Sequence, residues 1–248
     1  MLGLFVVLIA AGVALWASLP DVRPLAKTPP KSTAFIELRR AQATEAGKRF
    51  VLRWTWRPLA QISPYLRAAV VMTEDARFWQ HEGVDWDAVE HAAEKNWEKR
   101  RFGIGGSTIT QQVAKNLYLS PSKNPVRKLR ELFIARRLEE ALSKERVLEI
   151  YLNVAEWGNG VFGAEAAARH WFEATAATLT PAQAARLALA LPNPRRRAPA
   201  VASTGLDRRA ANIVRALLKR RLIDEAGYEQ ALTELRVELP MPTPPPGD

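Results

Sequence analysis

Four stretches of this chain set reactive side-chain types at spacings that could do chemistry. The first is Thr73-Glu74-Asp75-Ala76-Arg77-Phe78-Trp79-Gln80-His81-Glu82-Gly83. Two adjacent carboxylates end an apolar run, and Phe78 and Trp79 follow at once. If those rings line one side of a cleft they lower its polarity and raise the pKa of Glu74, which suits a general base near neutral pH. The plain alternative is a pair of solvated charges. The second stretch is Gly103-Ile104-Gly105-Gly106-Ser107-Thr108-Ile109-Thr110-Gln111-Gln112-Val113-Ala114-Lys115-Asn116. A glycine loop feeding a helix N-terminus, with a lysine two turns in, can hold a phosphate or pyrophosphate. The Gly-Lys-Ser/Thr order of a nucleotide P-loop is missing, so ATP binding is not expected.

The third stretch, Arg127-Lys128-Leu129-Arg130-Glu131, crowds two cations and a carboxylate onto one helical face. Alone it reads as a surface ion-pair cluster; function would require a second anion for the cations to hold. The fourth runs from Lys144 to Asn153, followed by Trp157-Gly158 and Gly160-Val161-Phe162-Gly163, and reads as core helix plus a glycine-rich loop. Ser120-Pro121-Ser122-Lys123 satisfies Ser-x-x-Lys, the acylated-serine signature. It lacks the partner motifs Lys-Thr-Gly and Ser-Asp-Asn and sits among prolines, so it is set aside.

The elements that must position these groups are mostly helices. Ser63-Pro64 offers a cap and an N1 proline before Leu66, Ala69 and Val70. Asp85 can cap a helix with apolar positions Trp86, Val89, Ala93 and Trp97. Thr108 with Gln111 makes a capping box, and Ser107, Gln111 and Lys115 recur every four residues. Pro125 opens a helix carrying Leu129, Leu132, Phe133 and Leu138, and Thr180-Pro181-Ala182-Gln183 is a second capping box. Strand alternation is confined to short pieces such as residues 49–56.

The chain's 248 residues suffice for one substantial domain, and 48% hydrophobic with 25% charged residues excludes wholesale disorder. Cysteine is absent, which excludes disulfides and zinc-thiolate sites, and the three histidines show no metal-ligand spacing. A net charge of +10 points to an anionic partner. The charge is concentrated between Lys95 and Arg146, with thirteen Lys/Arg against five Glu and no Asp. Leu2 to Leu19 is an unbroken apolar run long enough to span a bilayer, with Trp16 suited to the interface. It reads as an uncleaved anchor over 1–19; the small-x-small pattern of a signal-peptidase site is missing. No Lys or Arg precedes the run while Arg23, Lys27 and Lys31 follow it, which taken alone argues against an outside location of the domain and leaves the orientation unsettled. Residues 20–33 read as a Pro-rich linker, 34–239 as the folded domain and 240–248 as a disordered Pro-rich tail.

In this order the segments resemble the peptidoglycan glycosyltransferases, the family that includes the transglycosylase domains of bifunctional penicillin-binding proteins. Five motifs carry the resemblance, over about residues 54–194. They are Glu-Asp-x-x-Phe-x-x-His-x-Gly from Glu74, Gly-Gly-Ser-Thr-Ile-Thr-Gln-Gln-x-x-Lys-Asn from Gly105, Arg-Lys-x-x-Glu from Arg127, the segment from Lys144 to Asn153, and Arg169-His170-Trp171-Phe172. The last departs from the family pattern, since Glu173 stands where a glycine or small residue is usual.

The resemblance implies a mainly α, lysozyme-like bilobal domain behind an N-terminal transmembrane helix. It implies an inner-membrane, single-pass enzyme with its catalytic domain on the periplasmic side. Its substrate would be lipid II, a disaccharide-pentapeptide on undecaprenyl pyrophosphate, and its product a growing β-1,4 glycan strand. On that reading Glu74 and Glu131 are the catalytic carboxylates. Substrate contacts fall to Ser107, Gln111, Gln112, Lys115, Asn116, Arg127, Lys128 and Arg169. No metal ligand is called, although a divalent cation (Mg or Mn) near the pyrophosphate is compatible with Glu131. Cell-wall synthases and division proteins are the candidate protein partners, and nucleic acid is not one. Two rivals remain to be tested: a glycan hydrolase on a similar fold, and a membrane-tethered basic module without catalysis.

Overall fold

The computed structural model describes residues 12–13, 16–98, 106–122, 124–201 and 204–236. Ten α-helices are described: α1 Ala34–Glu45, α2 Pro64–Glu74, α3 Trp86–Glu98, α4 Ile109–Tyr118, α5 Pro125–Ala141, α6 Lys144–Val154, α7 Ala164–Phe172, α8 Pro181–Ala190, α9 Thr204–Lys219 and α10 Glu225–Leu235. Their starts follow from the chemistry of the chain. Thr108 and Thr180 accept from the backbone N–H groups of Gln111 and Gln183, whose side chains reach back to complete both capping boxes. Asn124 caps α5 before Pro125, Asp224 caps α10, and the Asp85 carboxylate accepts from Ala88 N at 3.0 Å ahead of α3. Ser63 holds the N-cap position of α2 but donates its hydroxyl to Leu179 O at 3.1 Å, tying the helix to the loop before α8.

The helices form two groups that share one hydrophobic core. In one, α4 packs between α5 and α6; in the other, α2 packs on α8, α8 on α9, and α9 on α10. Leu66, Val70, Ile109, Val113, Ile134, Leu138, Leu148 and Leu152 lie at or near zero exposure in that core. The mainly helical domain is consistent with a lysozyme-like course.

Beyond the helices lies a three-stranded sheet of β1 Arg53–Trp54, β2 Glu156–Gly158 and β3 Val161–Phe162, in the order β1-β3-β2. β1 pairs parallel with β3, Arg53 beside Val161, and β2 pairs antiparallel with β3 across a bulge. The stretch read as a glycine-rich loop is therefore a hairpin. Gly160, at φ +72, turns it where a Cβ would meet Val51 O at 2.2 Å.

Three other expectations are corrected. In α3, Trp86 is 67% exposed and Ala93 is exposed, while Ala92 is buried. The periodicity named a face, but the fold covers its neighbour. In α5, Leu129 is 44% exposed and the buried face is Glu131, Ile134, Ala135 and Leu138.

The segment read as a linker is also docked, through Val22 and Leu25 in the core and a 3-10 turn at Arg23–Ala26. Arg137 donates to Trp16 O at 3.0 Å and Leu19 O at 3.2 Å, with its guanidinium 4.2 Å from the Trp16 ring. Arg146 Nε donates to Leu25 O at 2.7 Å. Most of the apolar run, and the tail from 237, lie outside the described residues. Among the described residues no helix is long and apolar enough to cross a membrane.

Candidate active site

Glu74 is the last residue of α2, and its neighbour Asp75 fixes where that end sits. The buried Asp75 carboxylate meets His81 Nε2 at 2.9 and 3.0 Å and accepts from Ile109 N, the first residue of α4, at 2.9 Å. One carboxylate thus bolts the end of α2 to the start of α4. It also takes an N-terminal donor that a phosphate would need, and Thr108 takes another, at Gln111 N. The described start of α4 is therefore not a free anion cradle, contrary to the expectation from sequence. Gly103, Ile104 and Gly105 lie outside the described residues. Gly106 is required by close approach, since a Cβ there would come within 3.1 Å of Ala88 O on α3.

The bolt brings Gln112, one turn into α4, over Glu74. Gln112 Nε2 donates to Glu74 Oε2 at 2.9 Å, and Gln112 Oε1 accepts from Tyr151 OH at 3.0 Å. Tyr151 is fully buried on α6, and that burial pushes its pKa well above the usual phenol range, so it stays a donor. The chain Tyr151–Gln112–Glu74 fixes one carboxylate oxygen with neutral groups only. Burial raises the Glu74 pKa; the Gln112 hydrogen bond and the charges of Lys115 and Arg197 partly offset the rise. Phe78 and Trp79, expected to supply that low polarity, do not line the cavities beside Glu74. Phe78 is in the core beneath Lys144, and Trp79 packs against its edge, half in solvent.

Glu131, the other glutamate of the site, is buried, at 2% exposure. Arg127 and Lys128 each donate to one of its oxygens, and Lys128 Nζ also donates to Ser107 Oγ at 3.0 Å. Lys115 lies within electrostatic reach of both carboxylates. Burial lowers its pKa; Glu131 and then Glu74 pull it back up, while Arg127 and Lys128 push it down. Three cations and two carboxylates therefore form one field. Its cations exceed its anions, so it can accept a further negative group. Among the described residues no set of three His, Cys, Asp or Glu side chains could hold a metal ion. Both Glu131 oxygens are engaged by cations, so the residues present do not fit a divalent cation there.

One cavity has Glu74 in its lining, and a second is lined by Gln112, the residue bonded to Glu74. The smaller, about 260 Å³, is lined by Glu74, Arg77, Ser107 and Thr108 among others. The larger, about 600 Å³, is lined by Gln112, Lys115, Asn116 and Tyr151, by Phe35 and Arg39 of α1, and by Arg195 and Arg196. Of the residues expected to contact substrate, the fold gathers Ser107, Gln112, Lys115, Asn116, Arg127 and Lys128 around the two glutamates. It does not bring Gln111 there: that side chain is 1% exposed and completes its own helix cap through Thr108 N. Arg169 is likewise elsewhere, donating to Glu165 at 2.8 Å beside Arg57 and lining neither cavity. Sequence reasoning missed the relay role of Tyr151, although it lay in a quoted segment. It also missed Phe35, Arg39 and the arginine run from Arg195 to Arg197, for which only the flanking prolines gave a local signal.

A partly buried carboxylate held by a neutral amide thus lies beside a cation cluster on a mainly helical scaffold. Residues 42–218 match the family model described as Transglycosylase, and the chain belongs to that family. It is a glycosyltransferase. Relatives named biosynthetic peptidoglycan transglycosylase include one from Nitrosospira multiformis, 54% identical over 166 residues, covering 67% of this chain and 72% of that protein. One from Dechloromonas aromatica is 49% identical over 185 residues, 75% of this chain and 80% of its own length. One from Azoarcus sp. is 54% identical over 167 residues, with 67% and 72% covered.

Proposed function

We propose that this chain polymerises lipid II into β-1,4 glycan strands of peptidoglycan, releasing undecaprenyl pyrophosphate with inversion at the donor carbon. The observation that carries the reading is the pairing of two unlike carboxylates within one cationic field. Glu74 has a raised pKa, and its Oε2 is fixed by a neutral amide. It is the general base: it takes the proton of the acceptor's 4-hydroxyl as that oxygen attacks the donor's anomeric carbon, and the bond to pyrophosphate breaks. The departing pyrophosphate gains negative charge, which Lys115, Arg127 and Lys128 stabilise, with Ser107 holding Lys128. Glu131 acts through those cations. Its two oxygens lock Arg127 and Lys128 in place, so it orients the cluster without touching substrate.

The names of the relatives support peptidoglycan as the product, and the apolar run over 1–19 supports an inner-membrane anchor; residues 34–239 would lie on the periplasmic side because that is where lipid II is presented. Glycan-forming synthases and division proteins are the partners such a location offers. Cross-linking activity is not proposed, since Ser120-x-x-Lys123 has no accompanying motifs.

Purified full-length protein incubated with labelled lipid II should yield polymer on sizing, unaffected by penicillin and blocked by a moenomycin-type glycolipid. Release of free disaccharide without polymer would turn the reading to the hydrolase; labelling of Ser120 by a fluorescent penicillin would overturn the absence of cross-linking.

A further inference from the structure

The larger cavity beside Glu74 has a wall that the family match does not include. The match begins at residue 42, whereas the wall is the first two turns of α1. α1 is held firmly. Thr33 caps it from a buried position, Ile36 is fully buried, and Arg39 grips Glu156 with Nε at 2.9 Å and Nη2 at 2.7 Å. Two of its side chains, Phe35 and Arg39, line the cavity. Arg39 is committed to Glu156. Phe35 is only half-buried.

The other aromatic residue on the lining, Tyr151, is fully buried with its hydroxyl on Gln112. Phe35 is therefore the partly open aromatic surface of this cavity. Lys115 Nζ and Arg39 Cζ stand 5.9 and 6.0 Å from its ring centroid. Those separations are the outer limit of a cation–π contact, so neither cation packs tightly on the ring. Planar polar side chains, Gln112, Asn116, Asn193 and Arg196, share the lining with it. An aromatic surface in one cavity with amides and guanidinium groups is the chemistry that recognises a pyranose. The sugar's axial C–H groups meet the negative π face, and its hydroxyls and acetamide meet the planar groups. The volume, about 600 Å³, admits one or two sugar rings.

We propose that Phe35 is a specificity-determining residue, a platform for an N-acetylhexosamine ring of the substrate held in the cavity lined by Gln112, whose amide bonds Glu74. The inference rests on the function proposed above and adds to it a substrate contact from outside the matched region. The test uses full-length Phe35→Ala, Phe35→Leu and Phe35→Trp. Each is assayed for KM and kcat with lipid II in detergent, and each is titrated with the soluble disaccharide N-acetylglucosaminyl-N-acetylmuramic acid.

Alanine and leucine should raise KM roughly three- to tenfold with kcat within about twofold, and tryptophan should stay near wild type. Disaccharide affinity should follow the same order. A leucine variant equal to wild type would mean that residue 35 only fills space and would overturn the proposal, as would an unchanged KM in the alanine variant. If wild-type protein made no glycan while disaccharide binding still depended on the ring, the proposed function would fall and the platform would stand.

Discussion

The end of α2 and the first turns of α5 each withdraw a glutamate from water, and they treat it in opposite ways. At Glu74 the fixed partner is a neutral amide backed by a buried phenol, and burial raises the pKa. At Glu131 a guanidinium and an ammonium each hold one oxygen. The first environment raises the proton affinity of its carboxylate; the second makes one whose charge is fully engaged. Under the proposed function, two carboxylates with environments this different would divide the labour of base and scaffold.

The sharpest way to break the comparison is at Glu74. Glu74→Gln keeps the shape and loses proton acceptance, so turnover should fall at least about a hundredfold while binding of a non-reactive donor analogue stays near wild type. Stability should respond in the other direction. A carboxyl whose folded pKa is raised above its unfolded value favours folding below that folded pKa and opposes it above, where the charged form is buried. The glutamine variant should therefore melt no lower than wild type at pH 7. Glycan formation and a thermal scan check the two halves, and wild-type turnover in this variant would end the assignment of the base.

Glu131 should fail differently. Glu131→Ala leaves Arg127 buried without its carboxylate, a change that costs about 3–5 kcal/mol for a buried pair, so loss of folding stability should accompany loss of turnover. Arg127→Ala should weaken the pyrophosphate-bearing analogue by about 1.5–3 kcal/mol, the value of a charge-assisted hydrogen bond. Lys128→Ala should do less, because that side chain is 42% exposed and solvent screens it. If Glu131→Ala kept full stability and full analogue affinity, it would be a second reacting carboxylate and the contrast would collapse.

A smaller effect should appear in the acid limb of the pH–rate profile. The general base works unprotonated, so activity rises as pH climbs through the Glu74 pKa. The Gln112 hydrogen bond lowers that pKa, and so does the charge of Lys115. Gln112→Leu and Lys115→Met should each move the acid limb to higher pH, read from kcat/KM across pH. Arg127→Ala should lower rates but, because that guanidinium is held on Glu131, should leave the limb in place.

The sequence disclosed the parts of this arrangement that depend on local chemistry. The boxes at Thr108–Gln111 and Thr180–Gln183 and the cap at Asp85 are short-range bonds between a side chain and its own turn, so spacing reveals them. What spacing could not reveal was which partner each face would meet. Phe78 was read as cleft lining, yet it is core, because Lys144 and Trp79 cover it. Gln111 was read with Ser107 and Lys115 as one face, but α4 starts at Ile109, so Ser107 precedes the helix and Gln111 closes its cap. Phe35 and Tyr151 reach the Glu74 cleft from helices 77 residues or more away along the chain from Gln112 in one direction and 39 in the other, and no local pattern announces that.

The smallest effect should come from the far side of α5, where Arg137 secures the chain entering the domain. Its guanidinium donates to the carbonyls of Trp16 and Leu19 and lies against the Trp16 ring. Arg137→Ala removes hydrogen bonds to carbonyls that water can partly replace, so the loss should be about 1–2 kcal/mol. The consequence should be uneven. α5 carries Arg127, Lys128 and Glu131, whereas Glu74 is bolted to α4 through Asp75. Loosening α5 from residues 16–20 should therefore weaken binding of the pyrophosphate analogue slightly and leave the acid limb set by Glu74 unmoved. Thermal scans, analogue titration and pH–rate profiles of the one variant separate these outcomes. A shifted acid limb would show that the two glutamates are mechanically coupled through α5, against the independence that their surroundings imply.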